Sequence, residues 1–95
     1  SAGTRAMLES RIEHFCGALD AAGAEDIQPQ GAFYVLARFD GVPGTLDNTK
    51  RLIDEAGVAG MPGDAFGSAR EEWLRFALVS PRATEAADRL AEYFA

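Results

Sequence analysis

Residues 73–79, WLRFALV, form an apolar run whose alternation sharply limits how the chain can fold. Successive side chains of a β-strand point to opposite faces of the sheet. One face of this predicted strand carries Leu74, Phe76 and Leu78. The opposite face carries Trp73, Arg75, Ala77 and Val79. We expect the first face to be the floor of a core beneath helices, and the second to be a binding surface or an interdomain contact.

Arg75 is the unusual residue of that second face. An ionised guanidinium that leaves water without a partner destabilises a protein strongly. One interpretation is structural: the side chain extends to solvent or pairs with a carboxylate that is near in sequence, such as Asp64, Glu71 or Glu72. The other interpretation is that Arg75 binds an anionic ligand. Periodicity alone favours the structural interpretation.

The rest of the chain contains three predicted helices. Apolar residues at helical spacing predict a first helix that ends near Gly23. Its apolar stripe consists of Leu8, Ile12, Phe15 and Leu19. A short second helix is predicted between Thr45, which can cap its N-terminus, and Gly57, which can end it. A third helix is predicted to start at Ser80 and Pro81 and to continue to the C-terminus.

Two further strands are predicted, at residues 32–39 and 58–61, and residues 28–31 are predicted to form a turn. Together these elements predict an α+β fold. The expected architecture is a two-layer sandwich in which a small, mainly antiparallel sheet has helices packed on one face. Because the chain has only 95 residues, we expect residues 1–95 to form a single domain.

Composition excludes several classes of partner. Nine basic and fifteen acidic residues give a net charge of −6, which repels nucleic acid and anionic membrane surfaces. The single cysteine, Cys16, excludes an internal disulfide and favours the reducing cytoplasm. No apolar run approaches the roughly 20 residues of a membrane-spanning helix. We expect no metal site, and we interpret His14 and Cys16 as structural residues because no second ligand or nucleophile partner stands at a useful spacing.

Three short stretches carry a family resemblance. They are PQGAFY at residues 29–34, GVAGMPGDAFG at residues 57–67 and WLRFAL at residues 73–78. In this order and at this separation they resemble the C-terminal small domain of fold-type I, pyridoxal-phosphate-dependent aminotransferases of class I/II. The resemblance covers nearly the whole chain. It implies an enzyme that transfers an amino group between an amino acid and a 2-oxo acid.

The resemblance also implies a role for one residue and a location for the cofactor. In this family the arginine of the motif that matches residues 73–76 binds the α-carboxylate of the substrate, and this role falls on Arg75. The cofactor-binding groups belong to a large domain that we expect to precede Ser1. The only lysine, Lys50, lies outside any stretch that resembles the family's cofactor-binding motif, so we expect no covalently bound cofactor, no catalytic residue and no activity in this chain alone. Full-length enzymes of this type are usually homodimers.

Other roles in the loop before the arginine strand, and other functions, stay open at this point. We interpret Gly63 and Gly67 as residues that shape the backbone, and Phe66 as either an interface residue or simple packing. The chain could instead be a stand-alone α+β module that binds a small carboxylate or a protein partner through the face of Trp73 and Arg75. It could also be the small domain of a related pyridoxal-phosphate lyase, decarboxylase or synthase. The sequence does not indicate which substrate side chain is preferred.

Overall fold

The strand predicted at residues 73–79 forms β4 (Trp73–Ala77), which lies inside a four-stranded sheet. The computed structural model describes residues 1–31, 33–62 and 73–95. Within these residues β4 pairs with β2 (Tyr34–Arg38) on one side and with β3 (Met61–Pro62) on the other. A further strand, β1 (Asp26–Gln30), pairs with the outer side of β2. The strand order is β1-β2-β4-β3, and all the pairs are antiparallel, as the sequence predicted.

Three α-helices cover this sheet in the described part of the chain. They are α1 (Ala2–Ala21), α2 (Leu46–Arg51) and α3 (Ala83–Tyr93), and α2 continues as a turn of π-helix (Leu52–Ala56). None of them is long and apolar enough to span a membrane. The helices and the four-stranded antiparallel sheet confirm the predicted α+β sandwich.

The core lies between the helices and one face of the sheet. Leu74, Phe76 and Leu78 are at most 1% exposed, which confirms that their face is the floor of the core. Phe15 of α1 packs on Phe76, with 5.5 Å between the ring centroids, and Leu90 of α3 is fully buried in the same cluster. Full burial of each large apolar side chain stabilises the fold by about 1.5–3 kcal/mol. This packing fixes which face of β4 remains free of helices.

Several helix ends lie at or near the residues that were predicted to cap or end them. The Thr45 hydroxyl accepts a hydrogen bond from the Asn48 N–H at 3.2 Å and so caps α2. Gly57 ends the helical segment with a φ of 69°, and Gly23 follows α1 with a φ of 94°. A residue with a Cβ is strained in this left-handed region, so glycine is favoured at both positions.

Strands β2 and β4 are shorter than the predicted 32–39 and 73–79, and three other predicted boundaries were wrong. Residues 28–31 were predicted as a turn, but Gln28 to Gln30 belong to β1, where Pro29 pairs with Val35. Proline is tolerated there because, among the described strands, β1 lies at the edge of the sheet, where a residue without an N–H donor need not interrupt the ladder. The strand expected at residues 58–61 is shorter, because Val58 is buried in the core and β3 begins at Met61.

The third wrong boundary is the start of α3. The helix begins at Ala83, whereas Ser80 and Pro81 belong to the turn that precedes it. Ser80 organises this turn: its hydroxyl accepts a hydrogen bond from the Arg82 N–H at 3.1 Å, and its carbonyl accepts one from the Ala83 N–H at 3.0 Å.

Candidate functional site

Arg75 lies in the middle of β4, on the face of the sheet that the helices do not cover. Its neighbours across the ladder are Leu36 in β2 and Met61 in β3. The side chain is half-buried, and its Nε atom is fully buried. The alternation predicted from the sequence is therefore correct for this residue: a cation sits within the sheet surface, opposite the core.

Within the described ranges, the side chains of Tyr34 and Met61 contact the guanidinium directly. The Arg75 Cζ atom lies 4.4 Å from the centroid of the Tyr34 ring, which is a cation–π distance. The Nη2 group of Arg75 donates a hydrogen bond to the Sδ atom of Met61. A thioether is a weak acceptor, and a partly exposed cation–π contact contributes only about 0.5–1 kcal/mol. Both contacts hold the guanidinium in place, and neither supplies a negative charge.

Tyr34 and Met61, which contact Arg75, are 38% and 46% exposed, whereas Leu36, opposite Arg75 in β2, is buried. Val79, which follows the end of β4, is 55% exposed. Phe33, which comes just before β2, is 51% exposed. A cation surrounded by exposed apolar side chains is typical of a surface that binds a ligand or another domain.

Arg38 provides an internal comparison because it is another arginine of the same sheet face, opposite Trp73. Its Nη1 group donates to the Glu25 carboxylate at 2.9 Å, so its charge is compensated within the chain. The carboxylates that were considered as partners of Arg75, namely Asp64, Glu71 and Glu72, lie outside the described residues. The loop positions Gly63, Phe66 and Gly67 lie outside them too.

Sequence reasoning missed Tyr34 and Met61 as neighbours of Arg75. Tyr34 pairs across the ladder with Ala77, two residues beyond Arg75, and reaches the guanidinium diagonally. The alternation of β2 puts Tyr34 on the correct face, but the contact depends on the strand register. Met61 was placed at the end of a predicted strand with no indication of that strand's partner.

The remaining candidate residues lie away from this cluster. Lys50 is exposed on α2. His14 of α1 is 2.8 Å from the Asp88 carboxylate of α3, measured from Nε2 to Oδ1, so it links two helices. Cys16 is partly buried, and this burial raises the pKa of its thiol, which disfavours the reactive thiolate. In the described part of the chain no three His, Cys, Asp or Glu side chains form a group that could hold a metal ion.

The sequence of this chain matches a model of a known protein family. The family model described as aminotransferase class I and II matches residues 2–94, almost the whole chain. This chain belongs to the class I and II aminotransferase family. The resemblance noted in the three sequence stretches is thereby confirmed.

Individual members of the family are similar over most of this chain. The LL-diaminopimelate aminotransferase of Nitratidesulfovibrio vulgaris (strain Hildenborough) is 33% identical over 90 residues, which are 93% of this chain and 23% of the relative. The aspartate aminotransferase of Thermotoga maritima is 36% identical over 78 residues, which are 79% of this chain and 19% of the relative. The chain thus spans about a quarter of the length of such relatives or less.

A solved structure of the family has the same fold. The aromatic aminotransferase from Pyrococcus horikoshii OT3 superposes on 97% of this chain with a TM-score of 0.85 and 27% sequence identity. The superposed region is 26% of that protein's chain. The arrangement of helices and sheet described above therefore also occurs in a solved aminotransferase.

Proposed function

We propose that this chain is the small, substrate-covering domain of a pyridoxal-phosphate-dependent aminotransferase, and that Arg75 binds the α-carboxylate of its substrates. The observation that carries this proposal is the position of Arg75 on the helix-free face. There an aromatic ring and a thioether hold a half-buried guanidinium among exposed apolar side chains. Membership of the aminotransferase family supports the reaction class.

The geometry around Arg75 suits a carboxylate. A guanidinium is planar and offers parallel N–H donors that match the two oxygens of a carboxylate. The Arg75 Cζ atom lies over the Tyr34 ring, 4.4 Å from its centroid. A cation–π contact uses none of the N–H donors as hydrogen-bond donors, so contact with Tyr34 and binding of a carboxylate can occur together.

The same residue would serve both halves of an amino-group transfer. The amino-acid donor and the 2-oxo acid acceptor each carry a carboxylate next to the carbon that gains or loses the amino group. An arginine that holds this carboxylate fixes the distance of that carbon from the reacting groups, and such positioning lowers the barrier by removing orientational freedom before the reaction. Exclusion of water around Arg75 would strengthen the ion pair.

Pyridoxal phosphate, which the family implies, carries the amino group between the two substrates when it is bound. The residues described here do not fit a covalent site for it, because the only lysine of the chain, Lys50, is exposed on α2. We therefore place the cofactor site in a large domain outside this chain, and we expect this chain to be inactive alone. The large domain, a homodimeric full-length enzyme and a cytoplasmic location are parts of the same proposal.

Steady-state kinetics of the full-length enzyme test the role of Arg75. L-Aspartate, L-phenylalanine and LL-diaminopimelate serve as amino donors, because the named relatives include aspartate, aromatic and diaminopimelate aminotransferases. Replacing Arg75 with methionine should raise KM for the accepted donor more than tenfold, since loss of one partner of a buried ion pair costs about 2–5 kcal/mol. Arg75→Lys should recover the function only in part, because an ammonium lacks the two parallel donors.

Arg38→Met is the matched control for this experiment. It removes an arginine from the same sheet face whose charge is already paired with Glu25, so KM should stay close to that of the wild type. Equal effects of Arg38→Met and Arg75→Met would mean that both arginines are structural, and would refute the proposed role of Arg75.

A further inference from the structure

We propose that Met61 controls how available Arg75 is for a carboxylate, and that oxidation of the Met61 thioether lowers this availability. The inference rests on the proposed function, because it assumes that the substrate carboxylate binds at Arg75. Its direct basis is the contact between the Met61 Sδ atom and the Arg75 Nη2 group.

The sheet places the two residues together. Met61 stands directly opposite Arg75 in the pairing of β3 with β4, so their side chains lie on the same face of the sheet. In the described part of the chain β3 lies at the edge of the sheet, and Met61 is 46% exposed. In the full-length enzyme the substrate must reach Arg75, so the smaller hydrogen peroxide can reach the thioether that occupies one of its donors.

In its reduced form Met61 competes poorly with a substrate. A thioether is a weak, uncharged hydrogen-bond acceptor, whereas a carboxylate brings an opposite charge and can form two parallel hydrogen bonds with a guanidinium. A carboxylate can therefore displace the sulfur from Nη2 and form its pair of hydrogen bonds. Until the substrate arrives, the contact with Met61 and the contact with the Tyr34 ring hold the guanidinium in one orientation.

Oxidation changes the acceptor that faces Arg75. With hydrogen peroxide as the oxidant, the sulfur lone pair attacks one peroxide oxygen, the S–O bond forms and the O–O bond breaks. After proton transfer the second oxygen leaves as water, so the sulfur loses two electrons and the peroxide gains them. The product is a methionine sulfoxide, whose polar S–O group is a much better acceptor than a thioether. This oxygen would occupy an N–H group of Arg75 that the carboxylate requires.

The chain contains a matched control for this chemistry. It has two methionines, and Met7 on α1 is 43% exposed, which is close to the value for Met61. Met7 should therefore be oxidised at a comparable rate without affecting Arg75. Cys16, the remaining sulfur, is partly buried with a raised thiol pKa, which makes it less reactive than an exposed thiol.

The experiment uses the full-length enzyme as wild type, Met61→Leu and Met7→Leu, each before and after treatment with hydrogen peroxide. Peptide mass spectrometry records which methionines have gained an oxygen, and kinetics with L-aspartate, L-phenylalanine and LL-diaminopimelate give KM and kcat. We expect oxidation to raise KM about tenfold in wild type and Met7→Leu, because a hydrogen bond to a charged group must be broken first. Met61→Leu should keep its KM after treatment.

Two further measurements exclude a general effect of peroxide. Methionine sulfoxide reductase should restore the KM of the oxidised wild type, whereas dithiothreitol alone, which repairs reversible cysteine oxidation, should not. Met61→Gln places an amide oxygen at a similar distance along the side chain, and it should raise KM without any oxidant.

Several results would overturn the inference: resistance of Met61 to peroxide in the enzyme, an unchanged KM once the Met61 sulfoxide is confirmed, or an equal rise of KM in Met61→Leu. Untreated Arg75→Met separates this failure from failure of the proposed function. If Arg75→Met raises KM and oxidation does not, only the role of Met61 is wrong. If Arg75→Met leaves KM unchanged, the carboxylate site itself is wrong.

Discussion

At the scale of single residues, Arg75 shows how a strand can carry a charge within an otherwise apolar run. The core side of β4 is occupied by Leu74 and Phe76, which are at most 1% exposed, so the alternation forces Arg75 to the opposite face. There the Tyr34 ring and the Met61 thioether contact its guanidinium and help to hold it in one orientation.

Gly57 ends the helical segment that follows α2 with a φ of 69°, a conformation that glycine adopts without strain. A Cβ at this position would also clash with the Arg89 guanidinium. We expect Gly57→Ala to lower the free energy of unfolding by about 1–2 kcal/mol, which is the penalty of a left-handed conformation for a residue with a Cβ. Urea denaturation of the purified protein measures this change.

The control for Gly57→Ala is Gly17→Ala in α1. Gly17 is exposed within the helix, and no atom lies within 4 Å of the position that its Cβ would take. This substitution should stabilise the protein by about 0.5–1 kcal/mol, because alanine favours the helix more than glycine does. If both substitutions shift stability in the same direction, the conformational explanation for Gly57 is incorrect.

At the scale of elements, β4 is anchored at its end by a side chain from α1. The Arg11 guanidinium donates through Nη1 to the carbonyl oxygens of Leu78 and Val79, at 3.0 Å each. The Leu78 N–H donates to the Phe33 carbonyl at 2.7 Å, which ties the same point to the segment before β2. Directly after β4, the chain is therefore hydrogen-bonded both to α1 and to the segment that precedes β2.

Loss of the Arg11 anchor should loosen this end of the sheet. Arg11→Met removes two hydrogen bonds from a charged donor, and we expect it to lower the free energy of unfolding by about 1–2 kcal/mol. In Arg11→Met, amide hydrogen exchange in β4 should be faster than in the wild type, and this acceleration should be larger in β4 than in β1. Arg5→Met, at an exposed position of the same helix, should change neither quantity. Equal exchange rates in β4 for wild type and Arg11→Met would show that Arg11 does not anchor the strand.

The elements that the sequence predicted well are those defined by local chemistry. The cap at Thr45, the glycine at position 57 and the alternation in residues 73–79 each follow from a few adjacent residues. β1 was missed because Pro29 indicates a turn locally, and only pairing with Val35 at the edge of the sheet makes a strand of it. The neighbours of Arg75 were missed for a related reason, since the contacts of Tyr34 and Met61 depend on which strands pair and in which register.

At the scale of the whole molecule, the two faces of the sheet have different partners. The helices bury one face, and the other presents Arg75 beside the exposed side chains of Tyr34 and Met61. The chain spans about a quarter of the length of relatives such as the LL-diaminopimelate aminotransferase. We therefore expect the remaining part of the enzyme to complete the site from the side of this exposed face.

A direct titration tests whether the Arg75 guanidinium binds the substrate carboxylate, as proposed. The full-length enzyme, as wild type and as Arg75→Met, is titrated with L-aspartate, L-phenylalanine and LL-diaminopimelate while the visible absorbance of its cofactor is followed. We predict that both proteins retain the cofactor and that Arg75→Met binds the accepted amino acid more than tenfold more weakly, as expected for a lost charge pair worth about 2–5 kcal/mol. Equal apparent affinities in the two proteins would contradict the claim and make Arg75 a structural residue of the sheet.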